Sequence, residues 1–248
     1  MQDVQASKIE NYVGNMDEFS FLEVETDDIL EIKIDDILEE KKITLYLKRG
    51  CDILFSAVGL VCLMPVFLVI AALIKLDSPG PVFFKQTRIG KDGKEFYIYK
   101  FRKMRLDVGN KGLNITTAND SRMTKFGGII RKYKIDELPQ AWNVLKGDMH
   151  IVGPRPETPN YVELYTKKQR DVLKVKPGIT DYASIAFIDE GDLLEKALDP
   201  ETYYIQIIMP DKIRINELYI RDMSLMTDTK IVMATFGKIF IKVRGAIK

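Results

Sequence analysis

The sequence predicts a mixed α/β body held at a lipid surface by a re-entrant, proline-broken membrane helix and by amphipathic interfacial helices. Three observations carry this. Ile53 to Ile74 is a run of 22 residues without a charge, with Pro65 near its middle. Both flanks of that run are basic. Beyond it, an alternating strand pattern gives way to segments of helical spacing separated by Pro/Gly turns.

The apolar run fits a helix of about 33 Å, enough to cross a bilayer core. Lys41, Lys42, Lys48 and Arg49 precede it, and Lys75, Lys85, Arg88, Lys91 and Lys94 follow. A spanning helix normally carries its basic flank on the cytoplasmic side only, so two basic flanks place both ends on that side. Pro65 offers the means: it lacks an N–H, its ring clashes with the preceding turn, and the 12 residues before it and 9 after it are each too short to cross alone. A helix–break–helix that enters and returns fits both features. A kinked spanning helix is the alternative, since membrane helices tolerate proline.

Residues 1–46 form an acidic extension, expected to be flexible. Residues 1–40 hold 13 Asp and Glu against Lys8 and Lys33, and Asp27-Asp28-Ile29-Leu30 recurs as Asp35-Asp36-Ile37-Leu38. The remainder, 41–248, has 35 basic and 23 acidic residues, so a net charge of +1 hides a strongly basic body. Such a body suits anionic lipid or a phosphorylated substrate. Nucleic acid is not expected, because no recognition helix or stacking motif accompanies the charge. Cys51 and Cys62, eleven residues apart on one helix, would lie roughly 16 Å apart, too far for a disulfide. With His150 the lone histidine, no zinc spacing exists.

After the membrane segment, 47–77, the body spans 78–228. Val82–Gln86 and Glu95–Phe101 read as strands, with Lys91-Asp92-Gly93-Lys94 as the hairpin signal. Residues 106–121 are polar and read as a loop. Phe126 to Leu145 is helical in character, with Pro139 placed to put Asp136 and Glu137 near a helix N-terminus. The tail, 229–248, is a basic amphipathic helix with Val232, Phe236, Ile239, Phe240 and Val243 at helical spacing. It suits packing on the core and the headgroup region equally.

The adjacent carboxylates Asp136 and Glu137 are the candidate catalytic residues. Neighbours on a helix point about 100° apart, which suits a division of labour: one carboxylate attacks or orients while the other holds a hard cation such as Mg²⁺. Read alone, adjacent acids more often just cap a helix start. Arg155, held between Pro154 and Pro156, offers a planar fork for phosphate or carboxylate. Lys100, Arg102 and Lys103 on the preceding strand make a polyanion site plausible; a solvated basic face beside anionic lipid is the other reading.

Several blocks together resemble the bacterial sugar transferase family, the monotopic phosphoglycosyl transferases. They are Lys48-Arg49-Gly50-Cys51-Asp52 entering the Pro-broken segment, Phe83-Phe84-Lys85-Gln86-Thr87-Arg88-Ile89-Gly90, Tyr99-Lys100-Phe101-Arg102-Lys103-Met104 and Asp136-Glu137-Leu138-Pro139-Gln140. Asn143 to Met149, Val152-Gly153-Pro154-Arg155-Pro156 and Lys176-Pro177-Gly178-Ile179-Thr180 continue the series in the family's order, over about residues 47–182. Ser224 to Ile231 resembles the closing motif. Where many members read Ser-Pro, Gly-Trp and an acidic residue, this chain has Met64-Pro65, Asp181-Tyr182 and Asn216.

The resemblance implies a catalytic domain on the cytoplasmic face of a bacterial inner membrane. It would transfer a sugar-1-phosphate from a UDP-sugar to a polyprenol phosphate (undecaprenyl phosphate), starting a lipid-linked glycan. Asp136 matches the nucleophile that forms an aspartyl–phosphosugar, Glu137 the partner that engages Mg²⁺, Arg155 the arginine near the nucleotide, and Pro65 the re-entry proline. Arg88 joins Lys100 and Arg102 as expected substrate contacts. A non-catalytic membrane-surface adaptor and a membrane nucleotide-sugar hydrolase are the rivals; the sugar, the pathway and homo-oligomer formation are left open.

Overall fold

The computed structural model describes residues 33–105 and 122–245, with side chains through residue 241. The first copy of the Asp-Asp-Ile-Leu repeat, the polar loop and the end of the tail therefore lie outside the described residues. The second copy is helical: α1 (Ile34–Glu40) buries Ile34 and rests Ile37 and Leu38 on the main core, while Lys174 pairs with Asp35 at 2.6 Å. The apolar half of the second repeat thus finds a core to bury against.

Helix α2 (Lys42–Asp77) follows after a single residue and runs 36 residues with Pro65 inside it, so the expected break at Pro65 is not seen. Its composition and length are those of a membrane-crossing helix. One face is buried against the body at Lys48, Asp52, Ser56, Ile70 and Ile74. The rest of its surface, including Leu54, Phe55, Val61, Leu68 and Val69, is exposed and apolar.

Both ends of α2 are tied to the same body. At the first end Arg49 donates to the carbonyls of Val144 and Leu145, and buried Lys48 and Asp52 pair with Asp228 and His150. At the second, Asp77 accepts from the Phe126 N–H at 3.0 Å and Arg102 donates to the Ser78 and Pro79 carbonyls. Ile70 and Ile74 bury there with Phe101 and Ile130, and Phe67 meets Phe101 edge-on at 5.1 Å.

The expected hairpin is present as β1 (Phe83–Ile89) antiparallel to β2 (Glu95–Phe101), joined through a 3₁₀ turn over Lys91–Gly93. Asp92 and Gly93 both have positive φ there, which is what a tight strand reversal needs. Helices α3 (Lys125–Lys132) and α4 (Gln140–Lys146) come next, and Thr124 caps α3 by accepting from the Gly127 N–H. A parallel pair, β3 (His150–Val152) with β4 (Gly178–Thr180), encloses α5 (Pro159–Glu163) in sequence. Four helices follow: α6 (Tyr182–Ala186), α7 (Glu190–Lys196), α8 (Pro200–Tyr203) and α9 (Met209–Asp222). The main core gathers Val152, Tyr161, Tyr182, Ile208, Tyr219, Ile220 and Ile231 from these elements.

The last described helix, α10 (Leu225–Gly245), packs on the core along one side. Ile231 is buried and Val232 packs on the core, whereas Met233, Phe236, Phe240 and Ile241 are exposed.

Candidate functional site

Asp136 and Glu137 lie in a single 3₁₀ turn, Ile135–Glu137, just ahead of α4. Lys134 before them adopts φ 57°, ψ 17°, a left-handed conformation that costs a side-chain-bearing residue about 1–2 kcal/mol. The turn holds both carboxylates over β2 and beside the Pro154–Pro156 segment.

Arg155 grips Glu137 with both guanidinium branches: Nη1 donates to Oε2 at 3.1 Å and Nη2 donates to Oε1. Lys100 donates to the same Oε1 at 3.0 Å. Lys103 donates to Asp136 Oδ2 at 2.7 Å. Asp136 is only 1% exposed, and its Oδ1 is buried with no hydrogen-bond partner. Arg155 is itself oriented by Asp181, whose Oδ2 accepts from the Arg155 N–H at 2.9 Å while Oδ1 caps α6 through Ser184.

Burial alone would raise the Glu137 carboxyl, but the charges of Arg155, Lys100 and Lys134 hold it well below the usual carboxylate range. Glu137 in turn raises the Arg155 guanidinium. Burial pushes the Lys100 ammonium down to about 8, against the pull of Glu137. Lys134 is lowered for the same reason. More cations than carboxylates therefore converge here, and an anion that arrives relieves the excess.

These residues line a cavity of about 540 Å³, a volume typical of small-molecule sites. Its far wall includes Glu157, Tyr161, Tyr204 and Asn216. Arg88 reaches it while donating to the Pro156 carbonyl at 3.1 Å and to Glu157 at 3.2 Å; Tyr204 donates to the other Glu157 oxygen at 2.8 Å. Thr158, Tyr161 and Asn216 each carry a buried side-chain oxygen without a partner on that wall.

The structure thus brings together Asp136, Glu137, Arg155, Lys100 and Arg88, and it leaves Arg102 elsewhere. Arg102 is 3% exposed and spends its guanidinium on the carbonyls that close α2. Strand alternation would put Lys100 and Arg102 on one face, but β2 ends at Phe101, so the alternation lapses and Lys103 takes that place. Lys103 belonged to the polyanion reading with Lys100 and Arg102, whereas Lys134 and Asp181 were not singled out as site residues from sequence. Lys134 was signalled by adjacency to the acidic pair; no spacing signalled Asp181. His150, lowered by burial despite its Asp52 partner, belongs to the α2 anchor and lines neither this cavity nor a smaller one beside it.

Among the described residues no cluster of three His, Cys, Asp or Glu forms a metal cage. An ion such as Mg²⁺ takes one or two carboxylates and completes its shell with water and phosphate oxygens. Glu137, with both oxygens engaged by Arg155 and Lys100, would hold one only by giving up one of those contacts, while the unengaged oxygen belongs to Asp136.

Residues 43–242 match the family model described as bacterial sugar transferase. The chain is 41% identical over 199 residues to a UDP-glucose:undecaprenyl-phosphate glucose-1-phosphate transferase of Escherichia coli (strain K12), covering 79% of this chain and 40% of that protein. It is 40% identical over 169 residues to a UDP-N-acetylgalactosamine-undecaprenyl-phosphate N-acetylgalactosaminephosphotransferase of Aeromonas hydrophila, covering 66% and 40%. An uncharacterized sugar transferase of Bacillus subtilis (strain 168) is 39% identical over 197 residues, covering 79% and 89%. The chain thus spans less than half the length of the first two relatives and most of the third.

Proposed function

The chain belongs to the bacterial sugar transferase family, and from that premise we propose that it moves a sugar-1-phosphate from a UDP-sugar to a polyprenol phosphate at a membrane face. The observation that carries the reading is Asp136: a buried carboxylate with one oxygen held by Lys103 and the other without a hydrogen bond, lining a cavity at the point where Arg155, Lys100, Lys103 and Lys134 gather around it and Glu137. A carboxylate so placed attacks phosphorus rather than merely capping a helix.

In the first half-reaction Asp136 Oδ1 bonds to the sugar-bearing phosphorus as the bond from that phosphorus to the bridging oxygen breaks. The electron pair leaves with UMP. In the second, an oxygen of the lipid phosphate bonds to the same phosphorus and returns the carboxylate, leaving a polyprenyl-diphosphate sugar. Arg155, Lys100 and Lys134 spread the negative charge that builds in each step, and Arg155 holds Glu137 while doing so. Glu137 is the residue that would hold Mg²⁺, which supplies neutralisation of the donor phosphates. Burial of Asp136 keeps water from intercepting the phosphosugar, which is what separates a transferase from a hydrolase.

Re-entry of α2 from one side, with the body on the cytoplasmic face of a bacterial inner membrane, is part of the same proposal. It is supported by the anchoring of both ends of α2 to one body, which a crossing that leaves the body on one side does not provide. The test is turnover: purified protein, Mg²⁺, undecaprenyl phosphate and a panel holding UDP-glucose and UDP-N-acetylgalactosamine, read by UMP release. Release that needs the lipid phosphate for multiple turnovers is expected. No release with any UDP-sugar leaves the adaptor, and sugar phosphate freed into water without lipid leaves the hydrolase.

A further inference from the structure

A second cavity, of about 250 Å³, shares Lys134, Glu137 and Arg155 with the first. The rest of its lining is mostly apolar: Leu60, Leu63 and Phe67 of α2 and Val232, Phe236 and Ile239 of α10 line it, with residues of the body such as Ile151, Ile179 and Ile185 completing it. We propose that this cleft holds the isoprenoid units next to the phosphate of the lipid acceptor. The assignment rests on the transfer reaction proposed above.

Continuity is the first argument. A donor phosphosugar carried on Asp136 in the larger cavity and an acceptor phosphate at the mouth of the smaller one meet at the same Glu137–Arg155 pair. Charge is the second. Lys134, Arg155 and Lys238 line the cleft with Glu137 as its lone carboxylate, so its polar end suits a phosphate while the remainder suits hydrocarbon. Entry is the third. The outward face of α2 is exposed and apolar at Val61 and Leu68, and α10 is exposed at Met233 and Phe240, so a chain dissolved in lipid enters sideways without crossing a polar surface.

Gly59 makes the idea testable without damage to the fold. It lines the cleft, and a Cβ added there meets nothing within 4 Å. Gly50, one helical stretch earlier, is exposed, has equally open space and lines neither cavity. Replacing a helical glycine favours the helix at either position. Gly59→Leu is expected to raise the KM for undecaprenyl phosphate about tenfold, with the KM for the UDP-sugar within about twofold of the parent; Gly50→Leu is expected to change neither. An acceptor KM unchanged in Gly59→Leu overturns the proposal.

Photolabelling separates this from the reaction itself. A diazirine-bearing farnesyl phosphate is expected to label peptides holding residues 59–67 and 232–239, and excess unlabelled farnesyl phosphate should compete while dioleoyl phosphatidylglycerol should not. Label confined to the outward residues Leu54, Phe55 and Leu73, or equal competition by the phospholipid, overturns the cleft. Cleft labelling in a protein that never releases UMP keeps the cleft as a polyprenyl-phosphate site and removes the transfer reaction.

Discussion

Two buried charge clusters in this protein are alike in pairing and differ in what they leave unpaired. The first anchors α2: Lys48 donates to Asp228, Tyr219 donates to the other Asp228 oxygen at 2.8 Å, and Asp52 accepts from His150 and from the Ile151 N–H. All four carboxylate oxygens are engaged, and none of Lys48, Asp52, His150 and Asp228 lines a described cavity. The second joins Asp136, Glu137, Arg155, Lys100 and Lys103, leaves Asp136 Oδ1 without a donor, and lines the larger cavity. Burial and ion pairing are common to both and so mark neither as chemistry. An oxygen left without its hydrogen bond in a low-dielectric setting costs stability and calls for an explanation, which the cavity beside Asp136 offers.

The largest expected effect breaks the two clusters apart. Asp136→Asn should lower UMP release by about 10⁴-fold or more while leaving unfolding within about 1 kcal/mol of the parent, because the shape of the side chain is kept. Asp228→Ala should do the opposite. It strands Lys48, whose side chain is 2% exposed, and should cost about 3–5 kcal/mol in denaturant unfolding. Full activity in the Asp136 variant, or an Asp228 variant of parental stability, would undo the distinction.

The next effect is a pH dependence confined to the second cluster. Lys100 is held near 8, so its charge is nearly complete at pH 7 and nearly absent at pH 9. The KM for the UDP-sugar should rise about tenfold across that interval, and Lys100→Arg should flatten the rise. Stability moves the other way: the unfolded chain binds more protons at Lys100 between about 8 and its ordinary 10.5, so this residue makes the fold more stable as pH rises through that window. A flat KM profile in the parent would remove Lys100 from donor binding.

The hairpin, the apolar helix and the Asp136–Glu137 pair were legible in the sequence because local pattern determines them. β2 alternates, and the hairpin turn carries its own Gly. What was not legible depends on packing between distant segments. Nothing local says that Arg102 turns away to close α2 while Lys103 turns in, since that follows from where β2 ends. Nothing local says that Asp181 holds the Arg155 backbone across 26 residues, or that the second Asp-Asp-Ile-Leu repeat docks as α1. The Lys48–Asp52 block was read as a family signature, and only the fold explains it, as three charged residues that tie an apolar helix to a basic body.

The smallest effect concerns the backbone under the second cluster. Lys134 holds φ 57° just before the acidic turn, and its charge acts on Glu137 from an exposed position. Glycine adopts that conformation without strain, so Lys134→Gly should stabilise the fold by about 0.5–1 kcal/mol after its own entropy cost. Activity should fall several-fold, because a cation facing the phosphates is lost. Lys134→Ala removes the same charge but keeps the left-handed strain, so it should match the activity loss without the gain in stability. If both variants stabilise equally, the charge rather than the backbone was the cost. If Lys134→Gly keeps full activity, the strained residue serves only to turn the chain, and the site's excess of cations is smaller than its geometry indicates.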